Sequence, residues 1–416
     1  MIVVHAHISE SFGGTEHAAF ALHNWFYQQT DQTIESWIIS PGDPGLSQND
    51  RHDLRIRSAS QPLNLRCSNP EQRDAQLKPL LERIQPHIIH LHHYIHFGID
   101  LFEALGRLCP AARIILTMHE YLLLCPNDGQ MITRPQQQIC TKPSSHNCKE
   151  CFPFRRQDDF TQRKHATQQA LNNCHALISP SAWLLQQFQQ HRSIQQPTAV
   201  IENGLPMQLL SAMSSSDAAQ PSDPPSLNRF AFFGRASERK GLLILLRACY
   251  QLSLSHPGRF DLQIHGGGME QEPAAIQHRI HHLLNACEDH VQIVGRYQQH
   301  DIPQLMNQCD WVIIPSIWWE NSPVVIQEAF AAGTPVIGTG HGGIAEKIEH
   351  RGGVCFRNGD ARHLASRMAE ALGNQQLHQS LVNQMIRPTS IQDCADQHLT
   401  FYRQVLQHHE SGSAPA

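Results

Sequence analysis

What this 416-residue chain lacks narrows its function before any motif is read. It has no run of about 18 apolar residues, so no membrane-spanning helix is expected. The amino terminus, MIVVHAHIS, reads as a strand with no basic region ahead of it, so no secretory signal is expected and the chain reads as cytoplasmic. Lys and Arg number 32 against 37 Asp and Glu, a formal net charge of −5, which leaves no basic footprint for nucleic acid. No strongly basic amphipathic helix stands ready to grip anionic lipid, so any membrane contact is expected to be peripheral and weak. No paired-aspartate motif is evident, so no catalytic divalent ion is expected.

What is present is an ordinary 40% of hydrophobic residues, in a chain long enough for two domains with separate cores. The 29 histidines are scattered rather than clustered, which argues against a histidine metal tract. Of the 12 cysteines most are isolated on expected helices, as buried small hydrophobes, and a reducing cytosol disfavours disulfides.

Strand alternates with helix from end to end, the signature of parallel α/β domains. Apolar runs of strand length fall at Ile2 to His5, Ser36 to Ser40, Ile88 to Tyr94, the RIILT segment, Ala176 to Pro180 and Thr198 to Asn203. Residues 207–228 are rich in Ser, Ala, Pro and Asp without periodicity and read as a linker between domains 1–206 and 229–394. Beyond it, strands are expected at Phe230 to Phe233, Trp311 to Ser316, Pro335 to Thr339 and Val354 to Phe356, with Leu243, Leu246 and Tyr250 on the apolar side of one helix.

The most informative stretch is WVIIPSIWWENSPVVIQEAFAAGTPVIGTGHGGIAEKI, from Trp311 to Ile348. It reads as strand, loop, crossover helix and strand of a parallel sheet. Glu320 falls in the loop after the first strand, Asn321 and Ser322 suit helix caps, and Glu328 lies inside the helix. Eight residues of helix rise about 12 Å, beyond the roughly 5–9.5 Å that a hydrolytic carboxylate pair needs. The two glutamates therefore suit separate parts of one extended ligand. Taken singly, each could equally be a solvated helix acid.

Three other sites have candidate chemistry. Gly13 and Gly14 precede a helix amino terminus after the first strand, where backbone amides can approach a phosphate; a plain tight turn is the alternative. GRASERKG, between the Phe230 strand and the helix beginning at Leu242, sets Arg235 and Lys240 beside another helix start, an arrangement that suits a diphosphate or simply a solvated basic loop. His119 stands at the carboxyl edge of the RIILT strand, where a histidine can be structural or can face a ligand.

Between Tyr121 and Phe154 the α/β rhythm stops, and residues 121–154 form an insertion too long for an ordinary connection. It carries Cys125, Cys140, Cys148 and Cys151, separated by fourteen, seven and two residues. Four thiols at such spacing suit structural zinc with no open coordination position. Uncoordinated reduced thiols and an iron–sulfur cluster remain alternatives.

The Trp311–Ile348 stretch closely resembles the glycosyltransferases of family 4, in which a glutamate, seven residues and a second glutamate occupy the motif PSIWWENSPVVIQEAFAAGTPVI, followed by a glycine turn and glutamate, here GHGGIAEKI. Gly13, Gly14, Thr15 and Glu16 resemble the family's GGxE element, and Arg235 and Lys240 its GR…KG element. The resemblance covers nearly the whole chain. It implies a GT-B fold, two Rossmann-like parallel-sheet domains facing a cleft, with the helix of 395–416 crossing back onto the first domain. It also implies a retaining transfer of a hexose from a nucleoside-diphosphate sugar, with GDP- or UDP-sugars the leading donors, to a hydroxyl of a glycan or lipid-linked acceptor. Exopolysaccharide or lipopolysaccharide assembly at the inner face of a bacterial membrane is the expected setting. By position Glu320 inherits a place near the donor sugar, Glu328 the ribose hydroxyls, Arg235 and Lys240 the diphosphate, and His119 a sugar hydroxyl, with Asn321 and Ser322 supplying helix-start amides. A phosphorylase of the same fold and a non-catalytic nucleotide-sugar binding protein are the competing readings.

Overall fold

The computed structural model describes residues 1–6, 14–29, 34–43, 52–61, 63–134, 136–214 and 226–412, with side chains to residue 407. The chain divides into two units, Met1–Gly204 with Ile391–Ala416, and Leu205–Ser390.

The first unit is built on seven parallel strands: β1 (Ile2–Ala6), β2 (Glu35–Pro41), β3 (Asp53–Ile56), β4 (Ile88–Leu91), β5 (Arg113–Thr117), β6 (Ala176–Ser179) and β7 (Thr198–Val200). Their order is β3-β2-β1-β4-β5-β6-β7. The inner strands IIHL and ALIS are buried at every position, as expected where helices cover both faces of a parallel sheet. At the edge, β3 reads DLRI and buries only Ile56 fully; its polar alternation hid it from the sequence reading. Helix 70–84 starts where Asn69 accepts a bond from the Gln72 amide and Pro70 occupies the first turn, and helix 182–191 starts where Ser181 caps Leu184. The last helix, Ile391–Gly412, belongs to this unit and packs on helix Gly14–Gln28, with Tyr402 fully buried near Phe26.

The second unit has six parallel strands: β8 (Arg229–Phe233), β9 (Asp261–His265), β10 (Val291–Gly295), β11 (Trp311–Ile314), β12 (Val336–Thr339) and β13 (Gly353–Phe356), in the order β10-β9-β8-β11-β12-β13. Trp311 and Phe230 are register partners across β11 and β8, and both are buried in the core beside helix Leu242–Ser255. That helix buries Leu242, Leu245, Leu246, Cys249 and Leu252, so its stripe leaves Tyr250 to one side and 40% exposed rather than on the apolar face. Both units follow the Rossmann strand order, in which chain order reverses once, between β1 and β4 and between β8 and β11.

The expected linker differs from the structure at both ends. Met207–Ser214 is a helix whose Leu209 and Met213, with Leu205 before it, are buried in the second unit's core. Those three residues are spaced by four, a helical face that the surrounding Ser and Pro content obscured. Leu227 is also buried, its carbonyl accepting the Trp311 indole N–H at 3.3 Å. Positions 215–225 lie outside the described residues.

Candidate functional site

In open α/β sheets, ligands bind beyond the carboxyl ends of the strands where strand order reverses. In the second unit that place is occupied by the loops after β8 and β11, which hold Arg235 and Lys240, and Glu320, respectively. Gly241 joins the two loops. It has φ +80° and caps helix Leu242–Ser255, and a Cβ added there would come within 1.9 Å of the Pro315 carbonyl oxygen, so only glycine fits.

Glu320 is buried and receives three donors on one carboxylate oxygen: Lys240 Nζ at 2.5 Å, Trp318 Nε1 at 2.7 Å and Ser316 Oγ at 2.8 Å. Burial by itself would raise its pKa, but the Lys240 charge and the three hydrogen bonds prevail and hold the carboxyl below its ordinary value. Lys240 Nζ also lies over the Trp318 ring, 5.4 Å from its centre. The main chain is fixed as well. The Gly343 amide donates to the Glu320 carbonyl at 3.0 Å, and a Cβ on Gly343 would meet the Asn321 carbonyl oxygen at 1.5 Å.

Glu328 differs in every respect. It sits inside helix Val324–Ala331, is buried, and its carboxylate has no hydrogen-bond partner among the described residues. Burial pushes its pKa up to about 7. Tyr297, edge-on to Phe233, lies within reach of that charge; burial and Glu328 together raise its phenol. Arg235 is exposed and extends across Gly268 to donate to Gln271 Oε1 at 2.8 Å.

Asn321 and Ser322 are half-buried in the loop ahead of the following helix. Pro323 is the cap residue, with ψ 118°, and no side chain bonds the first-turn amides from that position. The helix begins at Val324, and because a proline keeps the residue before it out of the helical region the cap falls on Pro323 rather than on Asn321 or Ser322.

In the first unit His119 follows β5 and is buried. It ends a chain of imidazoles, with His119 Nε2 3.4 Å from His92 Nδ1 and His92 Nε2 3.0 Å from His5 Nδ1. His90 lies against this chain, bonded to the Tyr402 hydroxyl at 2.6 Å and to Thr117 Oγ1 at 2.7 Å. Burial first, and neighbouring imidazoles second, lower His5 and His90 well below the ordinary histidine value. Ligand nitrogens of His5, His90 and His92 lie within 4.8 Å of one another, but both His90 nitrogens are already bonded and His5 and His92 bond each other. Burial keeps His5 and His90 in their neutral form, and the burial of the cluster could not be read from scattered histidines. Gly14 opens helix Gly14–Gln28, where Thr15 Oγ1 donates to Glu16 Oε2 at 2.9 Å; Gly13 lies outside the described residues.

Cys125, Cys140, Cys148 and Cys151 line a single cavity of about 230 Å³ in the insertion. Sequence reasoning proposed Glu320, Glu328, Arg235, Lys240 and His119 as candidates but did not include Ser316 and Trp318. Both lie in the PSIWWE motif itself, and their distance from Glu320 along the chain was the available signal.

The family model described as Glycosyltransferase Family 4 matches residues 12–209, and that described as Glycosyl transferases group 1 matches residues 214–387. The chain belongs to glycosyltransferase family 4. This family 4 chain is 34% identical over 146 residues to the amylovoran biosynthesis glycosyltransferase AmsK of Erwinia amylovora, a match covering 33% of this chain and 34% of that protein. The chain thus matches about a third of the length of its curated relative. The sucrose-phosphate synthase of Thermosynechococcus elongatus shares the fold with a TM-score of 0.71 at 18% identity, over 98% of this chain and 99% of that one. HepE of Anabaena, solved with UDP and glucose, does so with a TM-score of 0.63 at 19% identity, over 98% and 99%. Two parallel Rossmann-like sheets in this company make a GT-B fold. Among the described residues no helix is long and apolar enough to cross a membrane.

Proposed function

We propose that this family 4 member transfers a hexose from a nucleoside-diphosphate sugar to a hydroxyl of a glycan or lipid-linked acceptor, with retention at the anomeric carbon, in cell-surface polysaccharide synthesis. The observation that carries the reading is the Lys240–Glu320 pair at the strand-order reversal of the second unit, beside the amino terminus of helix Leu242–Ser255, with Arg235 on the same loop. Arg235, Lys240 and the helix-start amides hold the diphosphate. The amides near Asn321 and Ser322 add to that charge. Glu328, a buried carboxylate with its oxygens uncommitted, accepts from the two ribose hydroxyls. Glu320 lies near the donor sugar, Gly13 and Gly14 near the phosphates, and His119 bonds a sugar hydroxyl.

In the proposed reaction the bond between the anomeric carbon and the β-phosphate oxygen breaks as the acceptor oxygen bonds the same face of that carbon. The acceptor proton passes to the departing phosphate, leaving a nucleoside diphosphate and the glycosylated acceptor. Catalysis then rests on positioning and on stabilising the charge of the leaving group, which two cations and a helix start supply without a divalent ion. A UDP-sugar is favoured as donor over a GDP-sugar by the UDP-bound HepE structure of the same fold. A polysaccharide pathway is favoured by the amylovoran relative. The reaction is placed in the cytoplasm, with weak peripheral contact at the inner face of the membrane where a lipid-linked acceptor would lie.

The test is a thermal-shift panel of uridine, guanosine, adenosine and thymidine diphosphates on the wild type and Arg235→Ala, since a ligand that binds the native state raises apparent stability. Stabilisation by UDP that Arg235→Ala abolishes supports the reading. Absence of stabilisation by any nucleotide at millimolar concentration would overturn it.

A further inference from the structure

The insertion is partly ordered by its own backbone. Ile132 and Ile139 pair across an antiparallel bridge, the Cys140 amide donates to the Met131 carbonyl at 2.7 Å, and the Cys125 amide to the Tyr121 carbonyl at 2.8 Å. Ser144 caps the short helix Ser145–Cys151 by accepting from the Asn147 amide at 3.1 Å. Cys148 and Cys151 are three residues apart on that helix and share one of its faces. Three separate segments thus bring four thiols to one cavity, Cys125 buried and the other three half-buried.

Two guanidinium groups that bond the carbonyls just ahead of Cys125 have only a partial counter-charge. Arg163 and Arg192 are 5% and 7% exposed. Arg163 donates to the carbonyls of Leu63 and Leu122, and Arg192 to the carbonyls of His191 and Leu123 and to Thr167 Oγ1. Among the described residues neither bonds a carboxylate, and the Nε of Arg192 has no partner. The nearby Glu120 does not supply a full negative charge, because burial pushes its pKa up to about 7. Arg163 acts electrostatically on Cys125 and Cys148, and Arg192 on Cys148. Burying two cations without a full opposite charge is costly.

We infer that Cys125, Cys140, Cys148 and Cys151 bind one zinc ion as a tetrathiolate, and that Arg163 and Arg192 balance the doubly negative centre so formed. The ion displaces a proton from each thiol and binds the four sulfurs. No three of these sulfurs lie within 4.8 Å of one another among the described residues, so the thiols have to converge for one ion to bind all four. The two arginines hold the carbonyls of Leu122 and Leu123, just ahead of Cys125, so the metal centre and the unit's core share one electrostatic network. With four thiolates and no open position the centre is structural.

The test uses the full chain purified without added metal. Elemental analysis should find about one zinc per chain, and cobalt(II) in its place should give the thiolate-to-cobalt absorption of a tetrahedral sulfur site. The Cys148→Ser/Cys151→Ser double variant should lose the zinc. If that variant fails to fold, the wild-type zinc content and cobalt spectrum decide. Arg163→Gln removes the charge while leaving a polar amide, and should weaken zinc retention against a chromogenic chelator by about tenfold or more. Metal-free protein whose four thiols all titrate in the native state would overturn the site, as would iron with acid-labile sulfide. Unchanged zinc retention in Arg163→Gln would overturn the charge-balancing role.

Discussion

The two units reverse strand order at corresponding places and fill those places with opposite electrostatics. In the second unit the loops after β8 and β11 meet in a salt bridge, Lys240 with Glu320, and the carboxyl is held ionised although it is buried. In the first unit β1 and β4 contribute His5 and His90, and burial keeps both imidazoles neutral. A charged pair can be buried only when each partner's donors and acceptors are met, as Lys240, Ser316 and Trp318 do for Glu320. A histidine can be buried at lower cost because its neutral form is accessible near pH 7. One unit thus retains charge where anion binding is proposed, and the other keeps a polar but uncharged core.

The largest expected effect comes from breaking the charged side. Lys240→Ala removes a proposed diphosphate cation and leaves Glu320 buried without its counter-ion. Sugar-transfer kcat/KM should fall at least about 100-fold, and urea denaturation should show a loss of about 1–3 kcal/mol, moderated because Lys240 is partly exposed. A variant with wild-type turnover would place the diphosphate elsewhere.

Acid breaks the neutral side. His398, buried on the last helix with Nδ1 donating to the Cys394 carbonyl at 2.8 Å, is lowered to about 4 by burial. Between about pH 6.5 and pH 4 the unfolded imidazole binds a proton that the folded one does not, so stability falls as pH falls through that window. The contribution is at most about 3 kcal/mol for this histidine. His5 and His90 shift in the same direction and steepen the loss. Calorimetry from pH 7 to pH 4 should show the slope, and His398→Leu should flatten it; equal slopes in the two proteins would mean that His398 is protonated when folded.

A smaller effect sharpens the contrast within the second unit. Glu328 titrates near 7 when no ligand is bound, whereas Glu320 stays ionised. If the Glu328 carboxylate accepts from the ribose hydroxyls, nucleoside diphosphate affinity should weaken severalfold as pH falls from 8 to 6, and Glu328→Gln should remove that dependence while lowering affinity. Isothermal titration at the two pH values measures both. A wild-type affinity that does not change with pH would assign the ribose to another group.

Most of the strands were legible because an apolar run of four or five residues has few other uses in a parallel sheet, as IIHL, ALIS and WVII illustrate. The edge strand DLRI was not legible, because half-burial leaves a polar pattern. The helix after Glu320 was legible from Val324, but its cap was assigned to Asn321 and Ser322 because their cap preferences were weighed above the constraint of Pro323 on its predecessor. The linker reading failed at Leu209 and Met213, and the domain boundary at Leu205, because composition was weighed above a four-residue spacing.

The sequence by itself determined the family, the alternation of strand and helix, and which charged residues were candidates. These follow from local chemistry: apolar runs, glycines at loop turns, and a motif in which Glu320 and Glu328 keep a set spacing. Only the tertiary structure decided what each charge faces. Lys240 and Glu320 are eighty positions apart and become partners because β8 and β11 are neighbours in the sheet. Tyr402 reaches His90 across 312 positions because the last helix returns to the first unit. Protonation state depends on burial and on partners distant in the chain, and neither is a local property of sequence.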